Sequence, residues 1–311
     1  MVGALATAEH CRIEYGARPV LGGVTWERRP IDPEPGPRTA AEIEGARPIM
    51  PGADAEGDAE RRPPGADARP AVLLAGPDTR VRSSGVRFAE SRMAELLGEE
   101  TVLVDANHGS AAIAAGLSEA AAALGCDLVV FVDVGGDVLA HGDEPGLASP
   151  LCDSVLLAVA VRMAERPSPA VLGAVFGIGC DGELTPDEVV ARIDEVERAG
   201  GLLGRLPIEE PVARRLDEAV AAVPTEASAL ALQAFRGEVG KVEIRGGRRT
   251  VDLRPLAAAT AFFDPVVAAR TAARLAAAVH DAQSLDAAND ILHRLGVRTE
   301  LDYEREMNTS V

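Results

Sequence analysis

The chain has 311 residues, 47% of them hydrophobic and 3% aromatic, so Ala, Val and Leu rather than rings must fill a sizeable core. Lys plus Arg number 31 against 49 Asp plus Glu, a net charge of −18. That field repels nucleic acid phosphates and anionic membranes, and no basic stripe interleaved with aromatics offsets it, so neither is expected as a partner. The single lysine, Lys241, and the lack of a G-x-x-x-x-G-K-[ST] motif exclude a P-loop.

Residues 2–15 read as a helix stopped by Gly16, and 18–27 as a strand. The Pro-rich stretch PIDPEPGPR is a rigid loop. Residues 51–70 have almost nothing to bury and read as a flexible surface insertion. Apolar runs of strand length follow at 71–76, 101–106, 127–134 and 170–177, without alternation, as strands covered on both faces require. Helical stretches separate them near 86–97, 109–124 and 150–165. The alternation predicts an α/β fold: three layers, a mainly parallel, Rossmann-like sheet with helices on both faces, and one domain over 1–311.

Thr185-Pro186-Asp187-Glu188 carries a cap, a first-turn proline and a capping-box acid, and starts a helix that Gly200-Gly201 ends. Further helices are expected at 209–222, 226–235, 265–282 and 285–295. Residues 239–255 read as a small C-terminal β-hairpin turning at Gly246-Gly247.

Ligands of open α/β sheets bind beyond the carboxyl ends of the strands. Three polar clusters stand at such ends: Asp105, Asn107 and His108; Asp133, Gly135, Gly136 and Asp137; and Gly179, Asp181, Gly182 and Glu183. Clustered carboxylates raise one another's pKa unless a cation or a set of donors compensates. Hard oxygen ligands spaced by glycine suit Mg²⁺ or Mn²⁺, and Asp133, Asp137, Asp181 and Glu183 are the candidate ligands and acid/base groups. The plain alternative gives these acids turn and cap roles. Ser149 caps a predicted helix at Pro150, with Asp153 on its first turn. Thr225, Glu226 and Ser228 open another helix, where they either cap it or join an anion site. Trp26 follows a strand and either walls the pocket or packs in the core. His108 and His141 are the histidines near these rims.

Gly177-Ile178-Gly179-Cys180-Asp181-Gly182 fits G-x-G-x-x-G between a strand and a helix. Asp181 and Glu183 place negative charge where a pyrophosphate would sit, so no nicotinamide or flavin cofactor is expected. No G-x-S-x-G or H-E-x-x-H occurs. Four scattered cysteines, the lack of a leader-like start and of an apolar run of about 18 residues lead to the expectation of a cytoplasmic protein with free thiols.

The stretches LGGVTWERRPIDPEPGPR, VDVGGDVLAHGDEPGLASPLCD, FGIGCDGELT, PTEAS and KVEIRGG, in that order from about residue 20 to 265, resemble domain-of-unknown-function family 1152. The resemblance brings no reaction with it. It implies an opening apolar strand and a Gly-rich loop ending in Asp, a natural phosphate cradle. This chain begins at MVGALATA, which resembles the helix after that loop.

These readings converge on an enzyme for a small polar metabolite, phosphorylated ones included. Asp133, Asp137, Asp181 and Glu183 would act with a divalent cation, and Glu226 and His108 are further acid/base candidates. Gly135, Gly136, Gly179, Gly182, Ser149, Asp153, Thr225, Ser228 and Trp26 would line the substrate pocket. A metabolite sensor using the same rim is the alternative. A homo-oligomer is compatible with either.

Overall fold

The apolar runs form strands because both of their faces are covered. The computed structural model describes residues 1–49 and 70–309; the predicted insertion at 51–70 lies outside the described residues but for Pro70. Strand β5 (Leu128–Val134) shows the principle: Val129 and Phe131 pack into one core, Val132 and Val134 into another. Its neighbour β6 (Ala170–Phe176) divides likewise, Val175 facing the first core and Phe176 the second.

The strands make two mixed four-stranded sheets, where one mainly parallel, Rossmann-like sheet was expected. In the first, β1 (Gly22–Val24) runs parallel to β4 (Thr101–Val104). Strand β3 (Val72–Val81) is antiparallel to β4, and β2 (Ile43–Pro48) is antiparallel to β3. In the second, β5 and β6 are parallel, and β10 (Ala259–Phe263) is inserted antiparallel between β6 and β7 (Leu202–Pro207). Among the described residues only β1–β4 and β5–β6 are parallel pairs. The expectation of a parallel sheet fails because β3, one of the apolar runs, lies antiparallel to β4, and the short segments β2, β7 and β10 also join antiparallel; an apolar run carries no direction.

Helix α4 (Pro150–Ala164) is buried along nearly its whole length and is the axis of the first core. Helices α3 (Ser110–Leu124), α8 (Pro265–Arg270), α9 (Arg274–Val279) and α10 (Leu285–Arg294) contact it. The single helix expected at 265–282 is two, α8 and α9, broken at residues 271–273. The second core gathers α1 (Val2–Tyr15), α6 (Glu210–Ala222), α7 (Ala227–Phe235) and the antiparallel ladder of β8 (Gly240–Ile244) with β9 (Arg249–Leu253). Helices α2 (Ala89–Leu97) and α5 (Pro186–Arg198) and the C-terminal α11 (Glu300–Thr309) complete the described α-helices. Among the described residues no helix is long and apolar enough to cross a membrane.

The two sheets do not pair with each other. A cavity of about 1720 Å³ separates the β1 edge from the β5 edge, with α1 and α3 among its walls. Trp26, Arg28, Asp133, Cys152 and Asp153 also line it.

Candidate functional site

Parallel pairing of β5 with β6 aligns Asp133 with Val175 and Val134 with Phe176, so the two following loops leave the sheet side by side. Glycine then lets them touch. Gly179 N donates to Gly135 O at 2.7 Å, and Gly135 N donates to Phe176 O at 3.0 Å. Gly135 adopts φ 130, and a Cβ there would collide with the Asp181 carboxyl group. Residues 133–137 and 181–183 therefore share one edge.

Five carboxylates meet there. One oxygen from each of Asp133, Asp137 and Asp153 lies within 4.8 Å of the other two, and the same holds for Asp137, Asp181 and Glu183. Asp137 belongs to both groups and joins them. Burial pushes Asp133 up to about 6, with Glu183 adding to the rise while the amides of Gly136, Val138 and Val134 oppose it. Burial first, then neighbouring carboxylates, holds Asp137, Asp153 and Asp181 well above the ordinary range.

The members differ in what already satisfies them. Glu183 caps the start of α4: Ala148 N and Ser149 N donate to its Oε2 at 2.8 and 2.7 Å, and the Ser149 hydroxyl donates to Oε1. Arg249 Nη2 stands 3.3 Å from the same Oε1. Asp133 accepts from Gly136 N at 2.8 Å. Both oxygens of Asp181 are buried without a well-formed hydrogen bond, and the nearby Glu183 amide and Arg249 only partly offset that burial. Among the expected ligands Asp181 is thus more open than Asp133, and Glu183 is the committed one.

Ser149 is the N-cap of α4, but its hydroxyl serves Glu183 rather than the helix. Two amides further along, Leu151 N and Cys152 N, donate to Glu300 at 3.0 and 2.9 Å. Asp153 in the first turn is the third carboxylate at this helix start, where the helix dipole favours negative charge. Glu300 also meets Arg28 at 3.3 Å. Arg28 lies over the Trp26 ring at 5.3 Å, and the Trp26 indole donates to Glu304 at 2.7 Å. Trp26 is both buried and part of the cavity wall.

The remaining candidates sit elsewhere or act indirectly. His108 is 3.7 Å from Asp105 and bridges to Ser284, and Asp105 accepts from Ala40 N and Asn107. None of these contacts involves the five carboxylates. His141 pairs with Glu195 at 3.0 Å and with Arg192, so the group His141, Asp143 and Glu144 has its ring nitrogen committed. Glu226, not Thr225, is the N-cap of α7, and its carboxylate accepts from Arg245 N instead of its own helix. Ser228 is buried in that first turn. Gly182, at φ 71, lies against the Arg249 side chain and so lets the β8–β9 ladder rest on the Asp181 loop.

Sequence reasoning missed Arg28, Arg245, Arg249 and Glu300. Only Arg245 and Arg249, in RGGRR, carry a local signal, a double glycine turn flanked by cations, and it does not say where the turn lands.

Fold and site together define an α/β protein with a buried carboxylate cluster at the carboxyl edge of a mixed sheet. The chain matches the family model described as "Protein of unknown function (DUF1152)" over residues 1–308, and it belongs to that family. No curated protein and no solved structure matches it.

Proposed function

We propose that the carboxylate cluster holds a divalent cation, Mg²⁺ or Mn²⁺, and that the chain is an enzyme acting on a small polar metabolite that enters through the cavity between β1 and β5. The observation that carries this reading is Asp181: two buried carboxylate oxygens without a well-formed hydrogen bond, facing a cluster of like groups. A buried carboxylate without partners is costly. Holding a proton relieves it, and so does a cation. An all-oxygen set suits Mg²⁺ or Mn²⁺ better than softer metals. Asp137, common to both groups, is the natural shared ligand, with Asp133, Asp153 and Asp181 around it. Glu183 then supports the site by fixing the start of α4 rather than by ligation. Carboxylates with raised pKa values are suited to proton transfer near neutrality.

A metabolite-binding sensor with the same pocket is the second reading. It draws on the two rim histidines, both paired away from the cluster.

Titration calorimetry with Mg²⁺ and Mn²⁺ on the wild type and on Asp181→Asn tests the cation. Binding that is lost in the variant supports it; a wild type that binds neither ion ends the reading. Thermal-shift screening of small polar metabolites with and without the ion, followed by product analysis of each hit, separates an enzyme from a sensor.

A further inference from the structure

We infer that Arg245 and Arg249, with Arg28 beside them, form an anion seat facing the carboxylate cluster, and that it takes the phosphoryl group of a phosphorylated metabolite. The inference rests on the proposed function for its setting but on different residues for its evidence.

The two arginines are placed deliberately. They flank the turn of the β8–β9 ladder, which lies on the Asp181 loop through Gly182. Arg245 is the described non-glycine residue with positive φ, 54, next to Gly246 and Gly247, which adopt that region freely. Glu226 holds it there, each carboxylate oxygen accepting from Arg245 N at 2.9 Å. A glycine would meet the backbone demand more easily, so what the position keeps is the guanidinium.

That guanidinium and its neighbour are short of acceptors. Arg245 Nη2 is 3.8 Å and Arg249 Nη2 is 3.3 Å from one and the same atom, Glu183 Oε1. This carboxylate already accepts from Ala148, Ser149 N and the Ser149 hydroxyl. One committed carboxylate is therefore the ion-pair partner of both cations, with Asp181 the further acid that acts on them. Arg249 Nη1 is buried with no partner at all. Buried donors seldom stay unpaired, and each guanidinium offers five. Burial lowers the Arg245 pKa, and Arg249 and Arg28 add to that while Glu183 and Asp181 oppose it. Arg28 bounds the cavity that reaches Asp133 and Asp153.

An oxyanion with several acceptors meets all these demands. Phosphate matches guanidinium forks in geometry and charge, and its remaining oxygens can face a cation. The seat also answers a difficulty of the acidic surround: at net charge −18 an anionic substrate is repelled unless local cations draw it in.

The test uses inorganic phosphate as the probe, by calorimetry, with and without Mg²⁺. The full chain is compared with Arg245→Met, Arg249→Lys and, as control, Arg248→Met, since Arg248 sits on the same turn and donates to Arg245 O at 2.9 Å. Far-UV circular dichroism and Mg²⁺ binding verify that each variant is folded. The expected result is phosphate binding by the wild type and the control, weakened about tenfold or more in both seat variants, with Mg²⁺ affinity kept. Unchanged phosphate affinity in both folded variants overturns the seat, as does a wild type with no phosphate binding at millimolar concentration in either condition. Phosphate bound without any Mg²⁺ binding upholds the seat and removes the cation reading alone.

Discussion

Gly135 and Asp181 occupy adjoining loops so closely that the glycine's missing side chain is the space the carboxyl group fills. The φ of 130 at Gly135 adds a backbone conformation that other residues avoid. Gly135→Ala must therefore push the two loops apart. It is expected to destabilise the protein by about 2 kcal/mol or more and to weaken Mg²⁺ binding, read by urea denaturation and calorimetry. Wild-type stability and affinity in this variant would show that the two loops are not held in register by this contact.

Asp181→Asn separates holding the fold from holding a cation. The carboxyl group makes no well-formed hydrogen bond, and its pKa is raised by burial, Glu183 and Asp133 against the Glu183 amide and Arg249, so the neutral amide resembles its protonated form. Ion-free stability is expected to stay within about 1 kcal/mol of wild type, while the rise in melting temperature on adding Mg²⁺ disappears. A variant that keeps that rise would remove Asp181 from the ligand set.

Glu183→Ala should behave in the opposite way. Its side chain is fully buried and ties Ala148, Ser149 and Arg249 together. Removing it leaves two amides, a hydroxyl and a guanidinium without their acceptor, an expected loss of about 3–5 kcal/mol. The exposed pair of Asp187 with Arg254 is a fair comparison, and Asp187→Ala should leave the denaturation midpoint in place. Equal effects of the two substitutions would show that Glu183 is no more than a surface acid.

How much of this was legible in the sequence follows from the range of each signal. The β5 and β6 runs and the turns after them were readable because apolar continuity, glycine and acid all occur within a few residues. The capping box at Thr185 and Glu188 forms for the same reason. Strand β10 was not readable, since ATAFF is too short to declare a direction and pairs with β6 from more than 80 residues away. Glu300 caps α4 across a separation of 148 residues, and nothing near it in sequence points to that helix. His108 misled because β4 also ends in polar residues, yet β4 belongs to the other sheet. The arginine seat depends on how the β8–β9 ladder folds onto the Asp181 loop, a tertiary event without a local pattern.

A second buried acid pair, Glu27 with Glu90, gives a pH dependence that can be read apart from the site. Burial pushes Glu90 up to about 8, Glu27 adds to the rise, and the Met1 amino group opposes it. Glu27 is itself raised, chiefly by burial, although Ala89 N donates to it. A carboxyl group whose folded pKa exceeds its unfolded value of about 4.3 binds more protons when folded. Its stabilising contribution is complete below the unfolded value and is lost as pH rises through about 8. Glu90→Gln removes that loss while keeping the shape and neutrality of the protonated acid. The variant should match the wild type in urea near pH 4 and exceed it increasingly as the pH rises to about 8, the difference levelling off above that. The acids at the end of β5 titrate in both proteins, so their share cancels in the difference. Parallel stability profiles over this range would mean that Glu90 is ionised in the folded protein and that the environment described for it is wrong.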